Sequence, residues 1–109
     1  MIDEVLVVFT TLPDDAAARD LARALVESRT AACVNVLSSC RSVYRWQGAV
    51  ESADEIPVII KTTRGRYPDL ERELRSRHPY ELPELVAVPA VAGLSGYLDW
   101  VREATRPAP

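Results

Sequence analysis

The stretch from His78 to Glu84, reading HPYELPE, limits what this chain can fold into more than any other segment. Each proline fixes φ, removes a backbone donor and pushes the residue before it toward extended geometry. Pro79 and Pro83 therefore exclude helix interior and an ordinary central strand here. A helical pattern precedes the segment and an apolar run follows it. The reading is a stiff, extended connector that holds its side chains in fixed directions. That suits a binding site and a subunit contact equally well.

The elements on either side follow from periodicity. Val5 to Thr10 is a short apolar run and predicts a buried strand. Pro13, Asp14 and Asp15 open a helix with negative charge at its positive end. Ala18, Leu21, Ala22 and Leu25 form its apolar face. Cys33 to Leu37 predicts a second strand, which continues less regularly to Trp46. Gln47-Gly48 is a hairpin turn. Ala49 to Thr63 returns as a third strand, with Pro57 suggesting an edge or a bulge. A second helix begins near Pro68, with Tyr67, Leu70 and Leu74 on one face. Leu85 to Val91 predicts a fourth strand, and Ser95 caps a short last helix carrying Leu98 and Trp100.

The order β-α-β-β-α-β plus a terminal helix predicts an α+β, ferredoxin-like sandwich: two crossover units joined by a hairpin. Residues 1–104 are expected to form one domain and residues 105–109 a flexible tail. Helices cover one sheet face, and the other still carries apolar side chains. Such a face predicts oligomerisation.

Charge and length narrow the function classes. The 109 residues carry 13 basic and 16 acidic side chains, a net charge of −3. That balance provides no bulk attraction to nucleic acid or to an anionic membrane. The N-terminus lacks the pattern of a secretory signal, and no apolar run approaches the ~20 residues of a bilayer span. The expectation is a cytoplasmic protein, with Cys33 and Cys40 kept as thiols by a reducing compartment. No nucleophile–base arrangement and no glycine-rich phosphate loop is visible, so the chain reads as a non-enzyme.

Several side chains carry candidate chemistry. His78, the only histidine, reads either as a ligand for copper or another borderline metal or as a helix-end histidine bonded to backbone carbonyls. Cys33, in an apolar run, reads as core. Cys40 is a secondary candidate for copper(I). Tyr44, Trp46, Glu55, Lys61, Tyr80 and Glu84 read as the lining of a cleft between subunits, with Glu55 or Glu84 as partners for Lys61. Packing with satisfied ion pairs is the other account of the same set. Arg64 and Arg66 lie before the second helix, where an anion could sit; a solvated basic turn explains them as well.

Five blocks together carry a family resemblance: AACVN (31–35), SVYRWQG (42–48), IIKTT (59–63), HPYELPE (78–84) and GYLDW (96–100). In order and spacing they resemble the CutA family, the divalent-cation tolerance proteins, over nearly the whole chain. The resemblance implies a ferredoxin-like homotrimer of PII-like architecture and a role in the response to copper and other divalent metal ions. For copper-binding members it implies three ligands: a cysteine at the end of the first strand and two adjacent histidines before the Pro-Tyr. Here those positions hold Thr10, Arg77 and His78. Thr10 has no thiolate to offer and Arg77 is a cation, so only His78 is ligand-like.

The function expected is thus a trimeric tolerance protein with weak binding of copper or another divalent cation and no obligatory cofactor. The alternative is a PII-like trimer that binds a small molecule or a protein partner without catalysis.

Overall fold

The computed structural model describes residues 2–109. The elements run β1 (Val5–Leu12), α1 (Asp15–Glu27), β2 (Cys33–Val36), β3 (Cys40–Trp46), β4 (Ala49–Thr63), α2 (Tyr67–Arg77), β5 (Val86–Pro89) and α3 (Ser95–Ala104). The predicted α+β sandwich with a short C-terminal helix is what the chain adopts.

The sheet order is β2-β4-β1-β5, and β3 pairs with β4 as a hairpin arm. All pairings are antiparallel. Sheet register sets the faces, because side chains alternate along a strand. Leu6, Val8, Thr10 and Leu12 of β1 point toward α1 and α2. There they meet Leu21, Leu25, Val58, Ile60, Leu70 and Leu74 in the main core. Val7, Phe9 and Thr11 point the other way, beside Pro57, Ile59 and Lys61 of β4 and Val86 and Val88 of β5. α3 covers only the Val5 end of this second face, through Val101 and Leu98. Phe9, Val86 and Val88 remain 36%, 53% and 42% exposed.

Local chemistry explains the element ends. Asp14 caps α1, its Oδ1 accepting from Ala17 N–H at 2.8 Å. Pro68 sits in the first turn of α2, where its missing N–H costs nothing. Gln47 and Gly48 take φ of 49° and 82°, as a tight hairpin turn requires.

Four expectations change. The second predicted strand breaks at 37–39 into β2 and β3, so face-counting cannot be carried across it. Pro57 is not on an edge strand, and it faces a bulge-like break where three residues, 37–39, lie opposite two of β4, 56–57. It lies within the central strand β4, opposite Thr11, at the gap where the neighbour on its other side changes from β3 to β2. Its carbonyl accepts from Leu37 N–H at 3.0 Å, and as a proline it donates none in return, at a break where regular pairing has already stopped. Ser95 is the first helical residue of α3; the cap is Leu94, with no side-chain capping bond. Thr105, expected to begin the tail, is 1% exposed, and its hydroxyl bonds the carbonyl of Val101 at 2.8 Å. The exposed end thus starts at Arg106.

β4 is 15 residues long, and only its second half lies in the main sheet. Its first half and β3 leave the body as a two-stranded arm, which contributes to the molecule's 45 Å long axis.

Candidate functional site

The stiff connector after α2 crosses the root of this arm. His78 ends α2, its backbone N–H bonding the Leu74 carbonyl at 2.9 Å. The ring is 8% exposed. Backbone N–H of Tyr80 donates to Nδ1 at 3.1 Å. A nitrogen that accepts has no proton, so Nε2 carries it and donates to the Thr11 carbonyl at 2.7 Å. Both ring nitrogens are engaged within the chain.

This ring packs against Tyr80, with centroids 4.8 Å apart. The Tyr80 hydroxyl donates to Glu55 Oε2 at 2.8 Å. The Thr11 hydroxyl donates to the same oxygen at 3.2 Å. Glu55 is 9% exposed. Burial first, and then the neighbouring Glu55 carboxylate, hold the Tyr80 phenol well above its ordinary pKa. The hydroxyl therefore stays a donor.

Around Glu55 lies a cleft of about 810 Å³. Thr11, Glu55 and Tyr80 line it at the connector's root. Glu81, Leu82 and Glu84 continue along the connector, and Tyr44 and Trp46 stand on the arm opposite. Register explains why the two arm aromatics belong here. Cys40, Ser42, Tyr44 and Trp46 share one face of the arm, the face that carries Glu55 on β4. Arg41 points to the other side, where it pairs with Asp54 at 2.8 Å.

The chain thus brings together five of the six cleft residues expected from sequence: Tyr44, Trp46, Glu55, Tyr80 and Glu84. Lys61 is elsewhere. It lies six positions along β4 from Glu55, roughly 20 Å away at strand spacing. Its ammonium donates to Asn35 Oδ1, not to Glu55 or Glu84. Thr11, Glu81 and Leu82 line the cleft without being among those six; Thr11 is the one that touches Glu55. Its parity in β1 is the signal that could have found it, since it shares the open face with Phe9.

The three positions at which the resemblance implies copper ligands, Thr10, Arg77 and His78, do not supply a ligand set within the single chain. Thr10 points into the core, and its Oγ1 is the one fully buried side-chain polar atom without a partner among the described residues. A neutral hydroxyl is a poor ligand for a soft metal. Arg77 pairs with Glu73 at 3.1 Å. His78 has no lone pair to spare. Among the described residues, no group of three or more His, Cys, Asp or Glu is placed to hold an ion.

Both cysteines are free and half-buried, so Cys33 is not the core residue expected. Cys33 stands opposite Lys61, and Cys40 opposite Glu55. The break at 37–39 thus puts both on the open side of the sheet despite their odd spacing. Burial, and then the Cys33 sulfur, raise the pKa of Tyr97 on α3. Arg64 and Arg66 pair with Glu4 and Asp69, so neither offers a free anion site. No helix among the described residues is long and apolar enough to cross a membrane.

Comparison with known proteins covers almost the same span. The family model for the CutA1 divalent ion tolerance protein matches residues 6–104. The divalent-cation tolerance protein CutA of Thermus thermophilus is 46% identical over 99 residues, which is 91% of this chain and 96% of that protein. Protein CutA of Homo sapiens is 43% identical over 97 residues; the match spans 89% of this chain but only 54% of the human protein. The solved structure of the Thermus thermophilus protein superposes with a TM-score of 0.92 at 45% identity, covering 94% of this chain and 99% of that one.

Proposed function

The chain belongs to the CutA1 divalent ion tolerance family, and from that premise we propose that it acts as a non-catalytic homotrimer that holds a small ligand in the Glu55 cleft. The cleft itself carries this reading. It is a preformed hollow with a few fixed polar groups and aromatic walls, of the size small molecules occupy. The tolerance role then runs through what the cleft binds, and not through a copper ion closed around His78.

The open sheet face supports the assembly. Phe9, Val86 and Val88 present apolar surface, and the arm carries Val43 and Val50 at 69% and 66% exposure. A two-stranded ribbon alone is marginal in water. Packing against further copies covers both. The number three comes from the family resemblance. The cytoplasm is the compartment proposed, where Cys33 and Cys40 remain thiols.

Native mass spectrometry during a copper titration, with His78→Ala alongside, tests this reading. The expected species is a trimer whose copper uptake is the same in both proteins. Coppers taken up in multiples of three by the parent and lost in the variant would restore the metal reading. A metabolite screen by thermal shift completes the test, because a ligand that prefers the native state raises the melting temperature. A shift is expected, and it should disappear in Trp46→Leu.

A further inference from the structure

The electrostatics of the cleft say what kind of molecule it takes. Glu55 is almost out of water, yet no Lys, Arg or His pairs with it among the described residues. A buried carboxylate without a counter-charge is costly, and proteins normally pair such groups. Here two neutral hydroxyls converge on Oε2. Neither cancels the charge, and Oε1 receives no donor from the described residues.

The neighbourhood has the same sign. Glu81 and Glu84 line the cleft and no lysine or arginine does. An anionic ligand would meet three carboxylates and no cation. Tyr44 and Trp46 add aromatic faces, whose quadrupoles attract positive charge. A divalent metal fits less well. It asks for about six or more oxygen ligands in one tight shell, and the carboxylates do not gather into such a group. The hollow is also far larger than an ion.

We propose that the cleft binds a small organic cation of the ammonium or guanidinium class, its charge seated at Glu55 Oε1 and its apolar body against Tyr44 and Trp46. This rests on the cleft reading above and names the ligand class for it. Glu55 supplies the charge, Tyr80 and Thr11 hold the carboxylate in place, Glu81 and Glu84 repel anions, and the aromatic faces favour the cation.

Isothermal titration calorimetry on the full chain tests it with three probes of similar length. Agmatine carries a guanidinium and an ammonium, succinate is an anion and 1,4-butanediol is uncharged. The Trp46 indole N–H signal in a ¹⁵N NMR spectrum reports where each binds. Agmatine should bind saturably and move that signal; the other two should do neither. Glu55→Gln keeps the side chain's shape and one acceptor oxygen but replaces the other oxygen with an NH2 donor and removes the charge, and should weaken agmatine by about tenfold or more. Trp46→Leu, in the cleft wall, should weaken it by a factor of about three to ten.

Succinate or butanediol binding as well as agmatine, or agmatine affinity unchanged in Glu55→Gln, overturns the cation class and leaves the cleft reading in place. Agmatine refused by the parent but accepted by Lys61→Met would show that a second copy's lysine already fills the position, and overturns the proposal. If neither these probes nor a broad metabolite screen moves the Trp46 signal, both readings fail together.

Discussion

His78 and Glu55 are both buried polar residues, and both touch Thr11. The ring of His78 donates to the Thr11 carbonyl. The Thr11 hydroxyl donates to Glu55. Tyr80 links them again, through its backbone N–H on one side and its phenol on the other. Their satisfaction differs. The histidine has a partner for each nitrogen, whereas the carboxylate has two donors on one oxygen and, among the described residues, no counter-charge. A saturated group has nothing left to offer a ligand, so His78 fastens the connector to β1. A half-saturated one retains binding capacity, so Glu55 is where an outside molecule gains most. The residue type that attracts attention in a metal-related family is here the fastening, and the proposed site lies about one side chain away.

Substitutions should separate the two roles. The largest effect belongs to His78→Ala, which removes two hydrogen bonds and the ring packed on Tyr80. Urea titration at fixed chain concentration should show a loss of about 2–4 kcal/mol, with agmatine affinity falling only as far as the connector loosens. Tyr80→Phe removes one hydroxyl and should cost about 1–2 kcal/mol by the same measurement.

The same phenol predicts a pH dependence. Its pKa is raised in the folded chain, so the native state keeps a proton that the unfolded state releases first. The stabilisation is complete below the ordinary tyrosine value and is lost as pH rises from ~10 upward. Denaturation curves should be flat on this account up to about pH 9 and fall beyond pH 10. Tyr67 and Tyr97 shift in the same direction, so Tyr80→Phe should reduce this slope without abolishing it.

Glu55→Gln should change stability by less than about 1 kcal/mol, with either no loss or a gain. It relieves an uncompensated charge while keeping the acceptor for Tyr80 and Thr11. Trp46→Leu, in the wall of the open cleft, should fall within about 0.5 kcal/mol. The contrast breaks if Glu55→Gln proves as damaging as His78→Ala, since Glu55 would then be a fastening too.

Legibility in the sequence followed the range of the interactions. The Asp14 cap, the Gln47-Gly48 turn, Pro68 in a first turn and the irregular HPYELPE connector are all local, and each was readable from neighbouring residues. The ferredoxin-like order followed from strand and helix succession alone. Five of the six cleft residues were found because aromatics and carboxylates flank a stiff segment and a hairpin. What failed depended on distant partners. Lys61 reads as the partner of a carboxylate on charge grounds, but its ammonium bonds Asn35 Oδ1 instead. Pro57 suggested an edge strand because a change of strand neighbours cannot be seen from one strand. Cys33 reads as core because it lies in an apolar run, but its strand position opposite Lys61 puts it on the open face. Thr11 was overlooked beside Thr10, although only their alternation separates core from cleft.

The most direct test reads the His78 ring itself, which is unambiguous because the chain has a single histidine. The ¹⁵N shifts of its imidazole should show a protonated Nε2 and a bare Nδ1 that stay unchanged through a titration with copper(I) or zinc. A shift or loss of either nitrogen signal at stoichiometric metal would contradict the account, because it would show that the ring gives up its bonds to Thr11 or Tyr80 to take an ion.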